Sequence, residues 1–318
     1  MGHVTWPSLA FSGRAVAEAA ANIPDELGVS DAARNILSGL SFRGPSTAAE
    51  PRDGTVLFLQ FPGAEPLARL AGLRGCLVIL PASADPGSLE AENAVLFARN
   101  PKYAYALLMT ALLPLSVQRG NLTGEPAPGV RADPGFVLEE GVTIEPFVTI
   151  GPDVSIGRGT CVMRGASIGP RTRIGKGCVI GEMAVIGSPG FGFAFDGDRP
   201  PVRIPQLGGV VIGDRAEIGV LSCVDSGTID ATVVEEDVKM NSHVHIAHNC
   251  RIGRGSILGA AVSVSGSARI GVRCWLGPGA VVRNKVFVGE GATVGMGAVV
   301  VKDVGSFETV TGVPAKPS

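Results

Sequence analysis

The amino-acid sequence predicts a mainly β protein whose larger part is a solenoid of short strands and tight turns. Its 318 residues include 45 glycines, while aromatic residues make up only 5%. A core filled by large side chains would show the opposite bias, whereas a solenoid with a turn every few residues needs many glycines. A third observation is an aliphatic residue at every sixth position through most of the chain after residue 137. Together these features predict a parallel β-helix preceded by a smaller domain.

The six-residue period occurs in two long runs. The first run consists of Leu138, Ile144, Ile150, Ile156, Val162, Ile168, Ile174, Ile180 and Ile186. The second consists of Ile212, Ile218 and Val224 and, after a four-residue insertion, Val234, Met240, Ile246, Ile252, Leu258, Val264, Ile270, Leu276, Val282, Val288, Val294 and Val300. Glycine commonly follows the aliphatic residue, and a small residue lies four places on. Three such units are expected to close one triangular coil of 18 residues, with the aliphatic side chains stacked inside it.

The period is interrupted between Ile186 and Ile212, an interval 20 residues too long for one unit. The interruption contains SPGFGFAFDGDRPPVRIPQLGG, residues 188–209. Because an insertion into a solenoid must leave it as a surface loop, we expect an excursion here. It is either a packing flap between subunits or one wall of an active-site cleft.

Residues 1–125 lack the period and predict a small α/β domain. The segments DGTVLFLQF and GCLVILPA are typical of strands, and AEPLARLAGL and PKYAYALLMTALL of amphipathic helices. The segment NLTGEPAPGVRADPG, rich in proline and glycine, predicts the join. The β-helix is predicted over 126–305, followed by a tail over 306–318.

Charge and hydropathy exclude several classes of partner. The formal net charge is −2 and no block of like charges occurs, so nucleic acid is not expected as a partner. No stretch approaches 18 consecutive apolar residues, and the N-terminus lacks the features of a signal peptide. We therefore expect a cytoplasmic protein without stable membrane insertion that acts on a small molecule. The six cysteines form no CxxC pair and are expected to be buried, reduced thiols.

Three of the four histidines lie in the segment MNSHVHIAHNC: His243, His245 and His248. The period turns Met240, Val244 and Ile246 inward, so all three histidines are expected to project outward. A solvated or subunit-interface face is one interpretation. A second is a zinc site held by His243 and His248, which lie five residues apart, of the kind found in hexapeptide-repeat carbonic anhydrases; it would need a third histidine from another coil or chain. The fourth histidine, His3, lies far outside the repeat.

General base catalysis is the interpretation that the sequence favours. A neutral imidazole can accept the proton of an amine as the amine attacks a thioester. Since residues 18 apart stack on adjacent coils, Gly266 is expected above His248, where its N–H can donate to a developing oxyanion. Asn284 lies one coil further, with Lys285 beside it, and both are plausible contacts for substrate or for a phosphate.

The repeat is similar to that of the bacterial transferase hexapeptide superfamily, which implies a left-handed helix and usually a trimer. The segments IGSPGFGF, IPQLGGVVIGDRAEIG, VDSGTIDAT and HIAHNCRIG further resemble the UDP-3-O-acylglucosamine N-acyltransferases of lipid A biosynthesis. This resemblance implies that His248 is the catalytic base and Gly266 the oxyanion donor. It also implies an N-terminal nucleotide-recognition domain, active sites between neighbouring subunits of a homotrimer, and acyl carrier protein as donor.

The chain departs from the family pattern at several positions. Asn241 stands where the family has an acidic residue seven places before the base, so the resemblance assigns a neutral amide to that role. Ser226 replaces a basic residue after Asp225. In FLQFPGA, Phe58 persists, but Ala64 stands where a tyrosine is expected, with Phe61 as a candidate substitute. The base of the nucleotide is therefore left open between uridine, guanosine and thymidine.

The sequence thus predicts an N-acyltransferase that moves an acyl group from a thioester to the amine of a nucleotide-linked amino sugar. The predicted catalytic residues are His248, Gly266 and Asn241. The predicted substrate-binding residues are Phe58, Phe191, Gln206, Asp225, His243, His245, Asn284 and Lys285. No metal and no bound cofactor are predicted. The donor is acyl carrier protein or coenzyme A, since the ending VVVKDVGSFETVTGVPAKPS resembles the tail of acetyl-CoA-dependent sugar acetyltransferases.

Three alternatives remain open from the sequence. One is an acetyl-CoA-dependent nucleotide-sugar N-acetyltransferase outside lipid A synthesis. Another is a hexapeptide zinc enzyme of the carbonic anhydrase type. The third is a trimeric scaffold without catalytic activity.

Overall fold

The computed structural model describes residues 11–21, 23, 36–37, 39–60, 64–112 and 130–317. The chain divides into two compact units. One consists of Met1–Val117 with Gly192–Pro205, and the other of Gln118–Phe191 with Gln206–Ser318. The boundary predicted near residue 125 lies outside the described residues, as do His3 and Phe61, so these expectations stay predictions.

The first unit contains a parallel three-stranded sheet of Val56–Phe58, Leu77–Pro81 and Ala94–Ala98. Its helices are Gly13–Ala21, Ala64–Leu70 and Pro101–Leu112, with a 3₁₀ helix at Gly87–Ala91. Phe11–Ser12 and Ser41–Phe42 form an antiparallel pair. The strands and helices predicted from the sequence are confirmed. The strand Ala94–Ala98 was missed because its short apolar run, AVLFA, carries no distinct period.

The second unit is the predicted parallel β-helix of hexapeptide type, and its three faces are three parallel sheets. The first face contains Val137–Leu138, Ser155–Ile156, Thr172–Ile174, Val210–Ile212, Thr232–Val234, Arg251–Ile252, Arg269–Ile270 and Phe287–Val288. The second contains Thr143–Ile144, Cys161–Val162, Val179–Ile180, Glu217–Ile218, Lys239–Met240, Ile257–Leu258, Trp275–Leu276, Thr293–Val294 and Thr309–Thr311, with Lys316–Pro317 added antiparallel. The third contains Arg131–Ala132, Thr149–Ile150, Ser167–Ile168, Val185–Pro189, Cys223–Ser226, His245–Ile246, Ser263–Val264, Val281–Val282 and Val299–Val300.

The aliphatic residue of each unit enters one continuous core along the β-helix. Ile246 and Val264 are fully buried, and the small residues two places earlier, such as Val244 and Val262, are buried with them. Each inward side chain of this size stabilises the fold by about 1.5–3 kcal/mol through apolar burial. Leu138 is an exception with 38% exposure, because it lies near one end of the stack. The period therefore fixes which residues point inward and which point out.

Glycine has two separate uses at the corners between faces. The residue three places after the aliphatic one adopts a left-handed backbone, which suits glycine at Gly165 (φ 71°) but is also adopted by His243 (φ 60°) and Lys285 (φ 63°). The glycine directly after the aliphatic residue instead allows close stacking: a Cβ on Gly157 would lie 2.6 Å from the carbonyl carbon of Gly175. The need of a solenoid for many glycines therefore has two physical causes, backbone conformation and close stacking.

The predicted insertion leaves the third face after Val185–Pro189. Within it, Phe193–Ala194 and Val202–Arg203 form an antiparallel pair, and Gly192–Pro205 belongs to the first compact unit. Its return to the β-helix is held by the buried Arg171, whose Nε donates to the Leu207 carbonyl at 3.0 Å. Burial lowers the pKa of Arg171 to about 10.

The six cysteines are free thiols, four of them buried and Cys161 and Cys223 half-buried. This confirms the expectation of reduced thiols and corrects the expectation of burial at those two positions, since both residues point outward from strands. Among the described helices, none combines the length and apolar character needed to cross a membrane.

Candidate functional site

Three predicted site residues form one column on the third face. Ile246, Val264 and Val282 are direct register partners on neighbouring strands. His248, Gly266 and Asn284 each follow two residues later, at the same corner of three successive coils. The parallel register therefore places the predicted base, the predicted oxyanion donor and a predicted substrate contact in a line.

The imidazole of His248 fits between two glycines of the same unit. A Cβ on Gly266 would lie 2.8 Å from Nε2 and 3.0 Å from Cε1 of His248. A Cβ on Gly190 would lie 2.6 Å from the Cβ of His248 and 3.1 Å from Oε1 of Gln206. The distances of 2.8 Å and 2.6 Å are shorter than real Cβ contacts permit. Glycine at 190 and 266 therefore makes room for His248. His248 remains half-buried.

Asn249 fixes the tautomer of His248. Its Nδ2 donates to the Asp230 carbonyl and its Oδ1 accepts the backbone N–H of Thr228, so the orientation of the amide is determined. Because Oδ1 is an acceptor, the contact of 3.0 Å with His248 requires that Nδ1 carry the proton. In the neutral imidazole, Nε2 is then the unprotonated nitrogen, and it lies 2.8 Å from the Cβ position of Gly266. An imidazole held this way is ready to accept a proton at Nε2.

The corner N–H groups equivalent to that of Gly266 are capped by glutamate at three turns, whereas others, such as those of Ala260 and Val272, donate to no acceptor among the described residues. The corresponding N–H groups of Arg158, Arg164 and Arg254 each donate to a glutamate 19 residues earlier: Glu139, Glu145 and Glu235. The residue 19 before Gly266 is Ala247, which has no acceptor. Within the described part of the chain, the Gly266 N–H donates to no acceptor. The corner therefore presents an open donor beside an open imidazole nitrogen.

A second cluster lies on the same face, where Cys223 on the preceding coil and His245 on the coil of His248 are register partners. The buried carboxylate of Asp225 accepts from Ser188 Oγ at 3.0 Å, from Cys223 Sγ at 3.4 Å and from His245 Nε2 at 3.3 Å. The hydrogen bond from His245 to Asp225 raises the pKa of the imidazole. Burial raises the pKa of the Cys223 thiol to about 11. The structure thus joins two predicted substrate-binding residues, Asp225 and His245, to each other.

The remaining predicted residues of this unit have different surroundings. Asn241 is exposed and its Oδ1 accepts the N–H of Ser242, while the described residue bonded to His248 Nδ1 is Asn249. Gln206 is buried, and its Oε1 accepts a hydrogen bond from Thr228. His243, Asn284 and Lys285 are exposed at corners. Their predicted contacts with substrate stay predictions.

The two predicted aromatic contacts lie apart in the chain. Phe58 ends a strand of the first unit and packs against the buried Tyr105, with ring centroids 5.0 Å apart. Phe191 lies where the chain leaves the β-helix, and it is 80% exposed. NPKYAYA, containing Tyr103 and Tyr105, forms the start of the helix Pro101–Leu112, where both tyrosines are buried.

Sequence reasoning missed Gly190, Asn249, Cys223 and Ser188. The partnership of Cys223 with His245 could have been found by counting, because their separation of 22 is one 18-residue coil plus the four-residue insertion. Asn249 belongs to the motif HIAHNC, but its contact with the histidine depends on side-chain geometry. Gly190 reaches His248 through the non-periodic insertion, for which no register applies.

The metal arrangement considered from the sequence used His243 and His248. In the part of the chain that the structure describes, the group of three side chains suited to a metal ion is instead Cys223, Asp225 and His245, whose ligand atoms lie within 4.8 Å of one another. Neither His243 nor His248 belongs to it.

The fold and this corner define a hexapeptide-repeat β-helix protein. Residues 155–188 match the bacterial transferase hexapeptide (six repeats) family. Solved structures with the same fold include UDP-N-acetylglucosamine acyltransferase from Campylobacter jejuni, which is 25% identical with a TM-score of 0.55 over 61% of this chain and 74% of that one. Another is UDP-N-acetylglucosamine O-acyltransferase from Moraxella catarrhalis RH4, 26% identical with a TM-score of 0.55 over 60% of this chain and 73% of that one.

Curated relatives confirm the resemblance seen in the sequence. UDP-3-O-acylglucosamine N-acyltransferase of Caulobacter vibrioides is 60% identical over 131 residues, which are 41% of this chain and 38% of that protein. The protein of the same name from Xanthomonas euvesicatoria pv. vesicatoria is 53% identical over 72 residues, 23% of this chain and 21% of that protein. The matches span less than two-fifths of the length of these relatives.

Proposed function

We propose that this protein is an N-acyltransferase that moves an acyl group from a thioester to the amine of a nucleotide-linked amino sugar. The observation that carries the proposal is the His248 corner, where Nε2 of the imidazole bonded to Asn249 faces Gly266 and the Gly266 N–H donates to no acceptor among the described residues. The names of the curated relatives support the same reaction class.

The proposed reaction uses two groups, Nε2 of His248 and the N–H of Gly266. The neutral sugar amine attacks the thioester carbonyl, and Nε2 of His248 accepts the amine proton as the carbon–nitrogen bond forms. The carbonyl oxygen becomes an oxyanion, to which the Gly266 N–H donates a hydrogen bond. When the carbon–sulfur bond breaks, the imidazolium returns its proton to the leaving thiolate. No metal or redox step is needed to balance this reaction.

The acceptor and donor follow from the resemblance. We propose a nucleotide-linked amino sugar of the lipid A type as acceptor, in line with the names of the relatives. Acyl carrier protein is the proposed donor, with coenzyme A as the alternative. The assembly is proposed to be a homotrimer, with exposed residues such as Phe191, Asn284 and Lys285 available to bound substrate.

The proposal is tested by a turnover screen read by mass spectrometry. UDP-, dTDP- and GDP-linked amino sugars are each incubated with a hydroxyacyl carrier protein and with acetyl-CoA. For the productive pair, His248→Ala is expected to lower kcat by about 10²- to 10⁴-fold, since a general base contributes that much.

Cys161→Ser is the matched control, because Cys161 is an outward thiol of the same β-helix remote in sequence from His248. It should keep wild-type turnover, and both variants should keep the wild-type thermal transition. Amide formation that continues unchanged in His248→Ala contradicts the proposed base, and absence of turnover with every pair contradicts the proposed reaction.

A further inference from the structure

The cluster of Cys223, Asp225 and His245 has the donor set of a transition-metal site. It offers one thiol, one carboxylate and one imidazole, which are the ligand types that zinc binds in proteins. Asp225 has a side chain only 10% exposed, whereas that of His245 is 46% exposed. The carboxylate of the cluster is thus buried, and the cluster is open to solvent on the side of His245.

Two separations within the cluster, each to a different oxygen of Asp225, are close to those between the ligands of a tetrahedral ion. Zinc lies about 2.3 Å from sulfur and about 2.0–2.2 Å from nitrogen or oxygen, so tetrahedral ligands are separated by about 3.3–3.6 Å. The separation of Cys223 Sγ and Asp225 Oδ1 is 3.4 Å, and that of His245 Nε2 and Asp225 Oδ2 is 3.3 Å. All three ligand atoms lie within 4.8 Å of one another. Small side-chain rotations would bring them onto one ion.

The surroundings hold these ligands in place. Cys223 and His245 are direct partners on adjacent parallel strands, so the backbone fixes their spacing. Ser188 Oγ donates to Asp225 at 3.0 Å and lies 3.6 Å from Cys223 Sγ, the position of a residue that orients ligands from behind. Outward cysteines elsewhere lack such partners: Cys161 has Thr143 and Val179 beside it on neighbouring strands.

We propose that Cys223, Asp225 and His245 bind a zinc ion, with a fourth coordination position open on the exposed side of His245. Three protein ligands and one open position are the arrangement of zinc sites that admit water or a further oxygen ligand. The cluster neighbours the His248 corner, since His245 lies three residues before His248, and zinc binding can be measured without the acyl-transfer reaction.

The test uses full-length protein without a histidine tag, stripped with a chelator and titrated with Zn²⁺ and with Co²⁺. Wild type is expected to bind one equivalent of zinc. Its cobalt form is expected to show the visible bands of tetrahedral Co²⁺ and a thiolate-to-cobalt charge-transfer band.

Cys223→Ser should abolish the charge-transfer band, and His245→Gln should weaken zinc binding by at least about tenfold. Cys161→Ser and His243→Gln are the matched controls and should bind as wild type does. Circular dichroism checks that each variant folds, and His245→Gln keeps the test decisive if Cys223→Ser does not fold.

Stoichiometric binding that is weakened in His245→Gln, and that loses its thiolate band in Cys223→Ser, supports the site. Wild type without stoichiometric zinc, or a thiolate band that survives in folded Cys223→Ser, overturns it.

Discussion

Two corners of the β-helix, around Arg254 and around Gly266, occupy the same position in the repeat but have different chemistry. At the Arg254 corner, Glu235 from the preceding coil accepts the backbone N–H at 2.9 Å. At the Gly266 corner the equivalent position is Ala247, and the imidazole of His248 lies against the glycine. Both corners have the same fold, so the difference lies in which side chain the preceding coil supplies.

This comparison shows that the same repeat position can carry a capped donor or an open one. A buried or half-buried backbone donor is ordinarily satisfied, because leaving it unpaired costs about 1–3 kcal/mol. The β-helix satisfies this corner donor with glutamate at three of its turns, Glu139, Glu145 and Glu235. In the proposed reaction, the open donor of Gly266 binds the oxyanion.

Among the variants that address this comparison, the largest effect is expected from making the Gly266 corner resemble the Arg254 corner. In Ala247→Glu the new carboxylate should accept the Gly266 N–H, as Glu235 accepts that of Arg254. Since this removes one oxyanion donor, kcat should fall by about 10²- to 10³-fold. The measurement is steady-state turnover of the productive donor and acceptor pair, together with the thermal transition, which should not fall.

Ala247→Met is the control for this change, because methionine has a similar length and offers no carboxylate. It should lose much less activity than Ala247→Glu. Equal loss in the two variants would mean that bulk, and not capping of the donor, is responsible.

A smaller effect is expected from Asn249, which we regard as a positioning residue. Asn249→Ala removes the acceptor that holds the proton on Nδ1 of His248, so a larger share of the imidazole has its proton on Nε2. Turnover should fall by about 10- to 100-fold, less than on loss of the base itself. The measurement is kcat, with KM determined for both substrates.

Asn249→Asp distinguishes positioning from stability. The aspartate keeps an oxygen for His248 Nδ1 and for the Thr228 N–H, but it loses the donation to the Asp230 carbonyl. Turnover should therefore recover above that of Asn249→Ala. If Asn249→Ala and Asn249→Asp were equally inactive and equally destabilised, Asn249 would contribute to stability and not to the positioning of His248.

The smallest effect is expected at the Arg254 corner, where opening the donor should affect stability only. Glu235→Ala leaves the Arg254 N–H without its acceptor and breaks an ion pair with Arg251 at 2.6 Å. The free energy of unfolding should fall by about 1 kcal/mol, and turnover should stay at the wild-type level. Urea unfolding followed by circular dichroism measures the first quantity. A large loss of turnover here would mean that the two corners are not functionally separate.

Much of this molecule could be predicted from its period. The inward positions, the three outward histidines and the stacking of Gly266 above His248 all follow from counting in sixes and eighteens. The counting also places Asn284 in the same column. The roles assigned to these residues stay predictions that the variants above address.

Other features could not be read from the period. Asn241 was selected by resemblance, whereas the described contact to His248 Nδ1 comes from Asn249. Which amide contacts the imidazole depends on the side-chain rotamer at the corner, which the period does not specify. Gly190 reaches His248 through an insertion to which no register applies. Where the repeat is broken, sequence distance no longer gives spatial distance.

The sequence by itself determined the β-helix, its core and the column of corner residues, since a fixed hydrophobic period permits one register. Only the tertiary structure decided the tautomer of His248, the open N–H of Gly266 and the grouping of Cys223, Asp225 and His245. Those features depend on hydrogen-bond directions and on side-chain distances of 3–4 Å, which tertiary packing sets and a one-dimensional pattern does not contain.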